Sequence, residues 1–163
     1  MAQILVIADT HVRSVEALSP ALRRAIRDTE YVVHCGDFVT TTVVNELRRI
    51  CRYFVGVYGN ADPDDVRLML PSETTFICEG KSIAVIHPFW GGYPSKLEDK
   101  LAIRYPRADA VLFGHTHEPF NEVIKSKLLF NPGQAYTSFM VPATAGFLTV
   151  TDSGIQGEIQ TLD

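Results

Sequence analysis

Two short strings far apart in the chain carry most of its chemistry, Asp9-Thr10-His11 and Gly114-His115-Thr116-His117. Each places two metal-competent side chains two residues apart, and the first follows an apolar run of strand length. Between them lie Asp37, Asn60 and His87, each just past another apolar run. Loops at strand ends converge while the sheet holds them rigid, so these groups are expected in one site. Alternate residues of an extended segment project to one side, which would let Asp-x-His and His-x-His each aim two groups at one place. Singly the residues say little. An Asp after a strand often caps a helix, His87 alone reads as a packed side chain, and Gly59-Asn60-Ala61-Asp62-Pro63 alone reads as a turn. Their joint occurrence, in order and each at a strand end, points to metal-assisted hydrolysis.

Seven oxygen and nitrogen ligands are too many for one tetrahedral zinc and suit a pair of metals sharing a carboxylate. Two divalent ions bring four positive charges, of which Asp9 and Asp37 cancel two; the imidazoles and the Asn60 carboxamide are neutral. The surplus of about two positive charges fits a phosphate ester and a hydroxide together.

The elements that must position these groups follow from the apolar runs. Gln3 to Ala8, Tyr31 to Cys35 and Phe54 to Tyr58 are predicted strands, the first continuous enough to be buried on both faces. Between them, Ser19-Pro20 opens a helix carrying Leu22, Ala25 and Ile26, and Thr42 to Ile50 forms a second with Val43, Val44, Leu47 and Ile50 on one side. This β-α-β-α-β opening implies a parallel sheet with right-handed crossovers. Thr74 to Cys78 and Ser82 to Ile86 read as a hairpin about Glu79-Gly80-Lys81. Ser95 and Glu98 form a capping box for a helix running to about Ile103, and Ala110 to Phe113 is a buried strand ending at the histidine string. Strands are then expected at Glu122 to Lys125, Leu128 to Phe130, Ala145 to Thr151 and Ile155 to Gln160. Ser126-Lys127, Asn131-Pro132-Gly133 and Asp152-Ser153-Gly154 would turn the chain between them.

Length and composition set the bounds. A chain of 163 residues with no repeat or linker reads as one mixed α/β domain, 1–163, able to bury roughly two-thirds of its unfolded surface. A net charge of -4 gives no basic face for nucleic acid, so no extended nucleic-acid surface is expected. Cys35, Cys51 and Cys78 are odd in number, widely spaced and without a CxxC pair, which reads as buried free thiols in a reducing compartment. The chain opens directly into a strand with no basic leader, and no run approaches the roughly 18 apolar residues of a membrane span. A cytoplasmic protein is expected. Its oligomeric state is open, an edge strand or loop being able to serve a homodimer.

The residues resemble those of the calcineurin-like metallophosphoesterases, whose pattern D-x-H, G-D, G-N, H, G-H-x-H stands here as Asp9-x-His11, Gly36-Asp37, Gly59-Asn60, His87 and Gly114-His115-Thr116-His117. The match spans essentially the whole chain. The short length and Asn131-Pro132-Gly133 are most similar to the small archaeal and bacterial phosphodiesterase branch, which shares its fold with the retromer subunit. The resemblance implies a four-layer α/β/β/α sandwich of two mixed sheets with two divalent ions at the strand ends. One ion would take Asp9, His11 and His117, the other Asn60, His87 and His115, with Asp37 bridging. Manganese is the expected metal, although such ligation tolerates iron, nickel, zinc, cobalt or magnesium. A metal-bridging hydroxide would attack phosphorus, with Asp37, Asn60 and His115 bearing most on catalysis by positioning metal and phosphate. The implied activity is a phosphodiesterase acting on a small phosphoester.

Three departures from that pattern concern specificity. Ala61 stands where many relatives have a histidine that assists the leaving group, so diesters with good leaving groups, or another proton source such as water, are expected. Pro88 follows His87 where the branch has glycine, which alters the loop beyond. Gln134 replaces the usual serine after Asn-Pro-Gly, itself read as a structural turn. Phe89, Trp90 and Tyr93 could wall a base or aryl group, or simply pack a long loop. His34, outside the constellation, reads as a core residue or one packed beside the site. The alternative function is a non-catalytic protein-binding scaffold of the same fold. That reading is disfavoured because every ligand type is retained. A nuclease of long nucleic acid lacks a basic stripe.

Overall fold

The computed structural model describes residues 1–88 and 96–162. In chain order the first half runs β1 (Ala2–Ile7), α1 (Pro20–Asp28), β2 (Tyr31–His34), α2 (Thr41–Ile50), β3 (Tyr53–Gly56), α3 (Asp64–Met69), β4 (Glu73–Cys78) and β5 (Lys81–Ile86). The second half runs α4 (Leu97–Arg104), β6 (Ala110–Phe113), β7 (Phe120–Ile124), β8 (Lys127–Asn131), β9 (Thr144–Thr151) and β10 (Gly154–Thr161). Two five-stranded mixed sheets result, in the orders β10-β9-β1-β2-β3 and β4-β5-β6-β8-β7. The pairs β1/β2, β2/β3, β5/β6 and β6/β8 are parallel, so their C-terminal ends meet along one edge of the molecule.

Strand alternation assigns the layers. Ile4 and Val6 of β1 face Val85, Leu112 and Phe130 in a core between the sheets, while Leu5 and Ile7 pack with Leu22, Ile26, Val44 and Leu47 of α1 and α2. On the far sheet, Val111 and Phe113 turn the other way and pack with Leu97 and Leu101 of α4. The layers are therefore helices, sheet, sheet, helix, the α/β/β/α sandwich implied by the resemblance.

The helices start where their caps dictate. Leu22 N–H donates to Ser19 Oγ at 3.2 Å with Pro20 at the first helical position, and Val43 N–H donates to Thr40 Oγ1. That cap starts α2 one residue earlier than expected. The strand ends also move: β1 spans Ala2–Ile7, β2 ends at His34, β3 spans Tyr53–Gly56 and β7 starts at Phe120 with its turn at Lys125-Ser126, both at positive φ. Helix α3 was not expected; six residues with only Val66 buried give too little periodicity to read. Lys96, at φ 59°, takes the position before α4 that the capping box gave to Ser95, a residue outside the described ones, as are Phe89, Trp90 and Tyr93. All three cysteines are free, but Cys51, at the end of α2, is only half-buried, unlike Cys35 and Cys78. No described helix is long and apolar enough to cross a membrane.

Candidate metal centre

All the singled-out ligand residues lie past the C-terminal ends of parallel strands: Asp9 and His11 after β1, Asp37 after β2, Asn60 after β3, His87 after β5, and His115 and His117 after β6. They do not converge by extended alternation, as the sequence reading had it. Asp9, His11, Asp37, His115 and His117 all have left-handed φ, between 48° and 81°. The chain turns sharply after β1, β2 and β6, and that turn, costly for a residue with a Cβ, aims the side chain across the edge. Backbone bonds fix the turned loops to one another: Asp9 N–H donates to Gly36 carbonyl at 2.9 Å, and Ala135 N–H to Ala8 carbonyl at 3.1 Å. The glycines before Asp37 and Asn60 admit close approach. A Cβ on Gly36 would lie 2.5 Å from His87 Nδ1, and one on Gly59 would lie 2.1 Å from Asp37 Oδ1.

Two half-sites form around Asp37. Ligand atoms of Asp9, His11, Asp37 and His117 lie within 4.8 Å of one another. On the other side Asn60 Oδ1 is 2.9 Å from His87 Nε2 and 3.0 Å from His115 Nδ1. Asp37 Oδ2 stands between the halves, 3.6 Å from His11 Nε2 and 3.5 Å from His87 Nε2. Its other oxygen, Oδ1, accepts the Ala61 N–H at 2.9 Å. Burial raises the Asp37 carboxyl above its ordinary range, against the pull of His87 and that N–H. Burial also opposes ionisation of Asp9, but His117 and the other imidazoles outweigh it and hold this carboxyl low. The Asp9 carboxylate in turn raises His117, whereas burial and then His87 lower His115.

The donor set fits a divalent cation on an observation independent of any motif. His87 Nδ1 donates to the Cys35 carbonyl at 2.8 Å, which presents Nε2 to Asn60 Oδ1. His117 Nδ1 likewise donates to Gln134 Oε1 at 3.1 Å, which presents its Nε2 to Asp9 Oδ1 at 3.4 Å. That oxygen is buried, and among the described residues it has no hydrogen-bond partner. Imidazole nitrogens converging on carboxylate and carboxamide oxygens, with the far nitrogen of each ring held by a protein oxygen, are the arrangement a bound cation satisfies.

Three residues that support the site were not legible as such. Asp62, buried and read only as part of a turn, accepts backbone N–H groups of Asp37, Val39 and Gly59 at 3.0, 2.7 and 2.7 Å, tying the β2 and β3 loops together. Gln134, 17 positions from His117, orients that ring while its Nε2 donates to Tyr136 carbonyl and Ser138 Oγ, which fixes the carboxamide's direction. Asn131 donates to Thr116 Oγ1 at 2.9 Å, so the Asn-Pro-Gly turn also holds the histidine string. His34 proves both core and neighbour of the site. It accepts Gly36 N–H at Nδ1, meets Thr10 Oγ1 at 3.0 Å through Nε2, and stacks on Phe38; burial pushes its pKa down to about 3, so it serves as a neutral bracket.

Comparison with known proteins bears on the family and the fold. A phosphodiesterase of Methanocaldococcus jannaschii is 30% identical over 145 residues, covering 81% of this chain and 83% of its own. A solved Thermotoga maritima protein is 29% identical, with a TM-score of 0.76 over 99% of this chain and 100% of that one. Vacuolar protein sorting 29 of Chaetomium thermophilum shares the fold at 17% identity, with a TM-score of 0.79 over 100% of both chains. Residues 2–153 match the family model for the calcineurin-like phosphoesterase superfamily domain, and the chain belongs to that family.

Proposed function

We propose that the protein is a binuclear metal-dependent phosphoesterase that prefers phosphodiesters. In this reading Asp9, His11 and His117 hold one divalent ion, Asn60, His87 and His115 the other, and Asp37 is shared. The observation that carries it is the place of Asp37 Oδ2, about equally far from His11 Nε2 and His87 Nε2, at 3.6 and 3.5 Å. Bound ions would supply a water nucleophile at neutral pH and positive charge for the phosphoryl oxygens. The chain's own residues set the rest. The Cys35 carbonyl and Gln134 hold His87 and His117 by their far nitrogens, and among the described residues the ligand cluster takes its carboxylates from Asp9 and Asp37, so little negative charge opposes an anionic ester. Ala61, exposed beside Asn60, can neither donate a proton nor stabilise a leaving alkoxide, which favours esters of acidic alcohols. The name of the Methanocaldococcus relative supports a diester over a monoester.

Metal-depleted protein should be inactive, and manganese or a similar ion should restore hydrolysis of a nitrophenyl diester over the corresponding monoester. A fully loaded protein inert toward a broad panel of both would overturn the proposal. Gln134→Ala should weaken metal binding about 10- to 100-fold by freeing the His117 ring, measured by competition with a chelating dye. Unchanged affinity would remove Gln134 from the site's support. A scaffold reading draws on the Vps29-like fold and on Phe139 and Met140, 91% and 87% exposed. It would be preferred if metal bound tightly and no ester were cleaved.

A further inference from the structure

A cavity of about 460 Å³ adjoins the His11–His117 half of the centre, within the size range of small-molecule sites. Its wall is formed chiefly by Val12, Leu18, Ala135, Tyr136, Pro142 and Leu162, and none of its described lining residues carries a charge. Of the hydroxyls that reach it, Ser19 Oγ already accepts the Leu22 N–H of the α1 cap, and Thr137 lies at the exposed rim.

Tyr136 connects this cavity to the centre. Its ring stands edge-on to His11, centroids 5.5 Å apart, and to His117 at 6.2 Å. Val12 enters the lining directly after His11 in the chain. The same buried carboxamide holds wall and ligand: Gln134 Oε1 takes His117 Nδ1 while its Nε2 donates to the Tyr136 carbonyl at 2.7 Å. The cavity wall and the imidazole that faces Asp9 are thus fixed relative to each other.

We infer that this cavity is the subsite for an uncharged, apolar ester group of the substrate, an aryl group or a compact alkyl group. The inference rests on the phosphoesterase reading and adds its substrate class. A charged group, such as the second phosphate of a nucleotide chain, would meet no counter-charge among the lining residues and would lose its hydration. An aryl group loses little water, packs against the Tyr136 ring and buries apolar surface. Separately, Ala61 beside Asn60 favours acidic leaving groups, aryl alcohols among them.

Calorimetric titration of metal-loaded protein with methylphosphonate and phenylphosphonate tests this without depending on turnover. Phenylphosphonate should bind about tenfold more tightly, as burial of most of a phenyl ring supports. Ala17→Phe, at an exposed position in the rim, should abolish that preference while leaving methylphosphonate affinity and metal content unchanged. Thr137→Trp, at a second exposed lining position, should do the same. Equal affinity for the two ligands in the wild type, or a preference that survives both variants, overturns the subsite while diester hydrolysis leaves the phosphoesterase reading standing. If neither phosphonate binds and no ester is cleaved, the parent reading falls and this one with it.

Discussion

Asp37→Ala is expected to abolish phosphodiester hydrolysis, with a loss well beyond the roughly hundredfold seen when only a residue supporting a metal ligand is removed. Asp37 Oδ2 is the atom that faces one imidazole from each half-site, at 3.6 and 3.5 Å. In the binuclear reading, its loss deprives both halves of a shared ligand and removes the negative charge between two neighbouring dications. Metal content measured by elemental analysis should fall from about two ions per chain to one or fewer. The fold should survive, because a carboxyl that burial raises above its ordinary range is itself a cost to the metal-free protein. Asp37→Asn separates charge from shape: its carboxamide oxygen can still accept the Ala61 N–H, yet it cannot bridge two cations as a carboxylate does. Near-normal turnover in either variant, with both metals retained, would sink the shared-ligand assignment.

The parts of this molecule legible in the sequence are those governed by local pattern. Parallel strands buried on both faces must be nearly continuous apolar runs, and QILVIA and AVLF stood out for that reason. Their order alone implies that the ligand-bearing loops share one edge of the molecule. Contacts between distant segments were not legible. The 17-residue separation of Gln134 from His117 offers no periodicity, and a serine-to-glutamine change reads as a loss until the longer side chain is seen reaching the ring. The left-handed turns at Asp9, His11, His115 and His117 leave no glycine at those positions to announce them. Only the surrounding bonds, such as Asp9 N–H to the Gly36 carbonyl, keep such residues there.

The same reasoning makes Asp62 the most consequential residue outside the ligand set. Asp62→Ala should lower stability by about 3 kcal/mol, a fall in Tm of roughly 6 to 12 °C for a chain of this size. Three backbone N–H groups lose a charged acceptor at once, those of Asp37, Val39 and Gly59. Two of the three residues are strained. Asp37 has φ 63° and Val39, a β-branched residue, has φ 67°, a conformation it holds only while its N–H is tied. Release of Val39 lets the β2 loop relax toward ordinary φ, which withdraws Asp37 from between the half-sites. Release of Gly59 lets the Asn60 loop drift from its two imidazoles. Stability and metal affinity should therefore fall together, although Asp62 touches neither half-site's ligand atoms. Asp62→Asn should lose less of both, because an oxygen placed at the Oδ2 position still accepts from Asp37 and Gly59 while the amide group faces the Val39 N–H. Thermal unfolding with and without metal, beside a metal titration of each variant, measures both quantities. An Asp62→Ala protein melting within about 2 °C of wild type with full metal affinity would show that the loops hold their strained turns without this carboxylate.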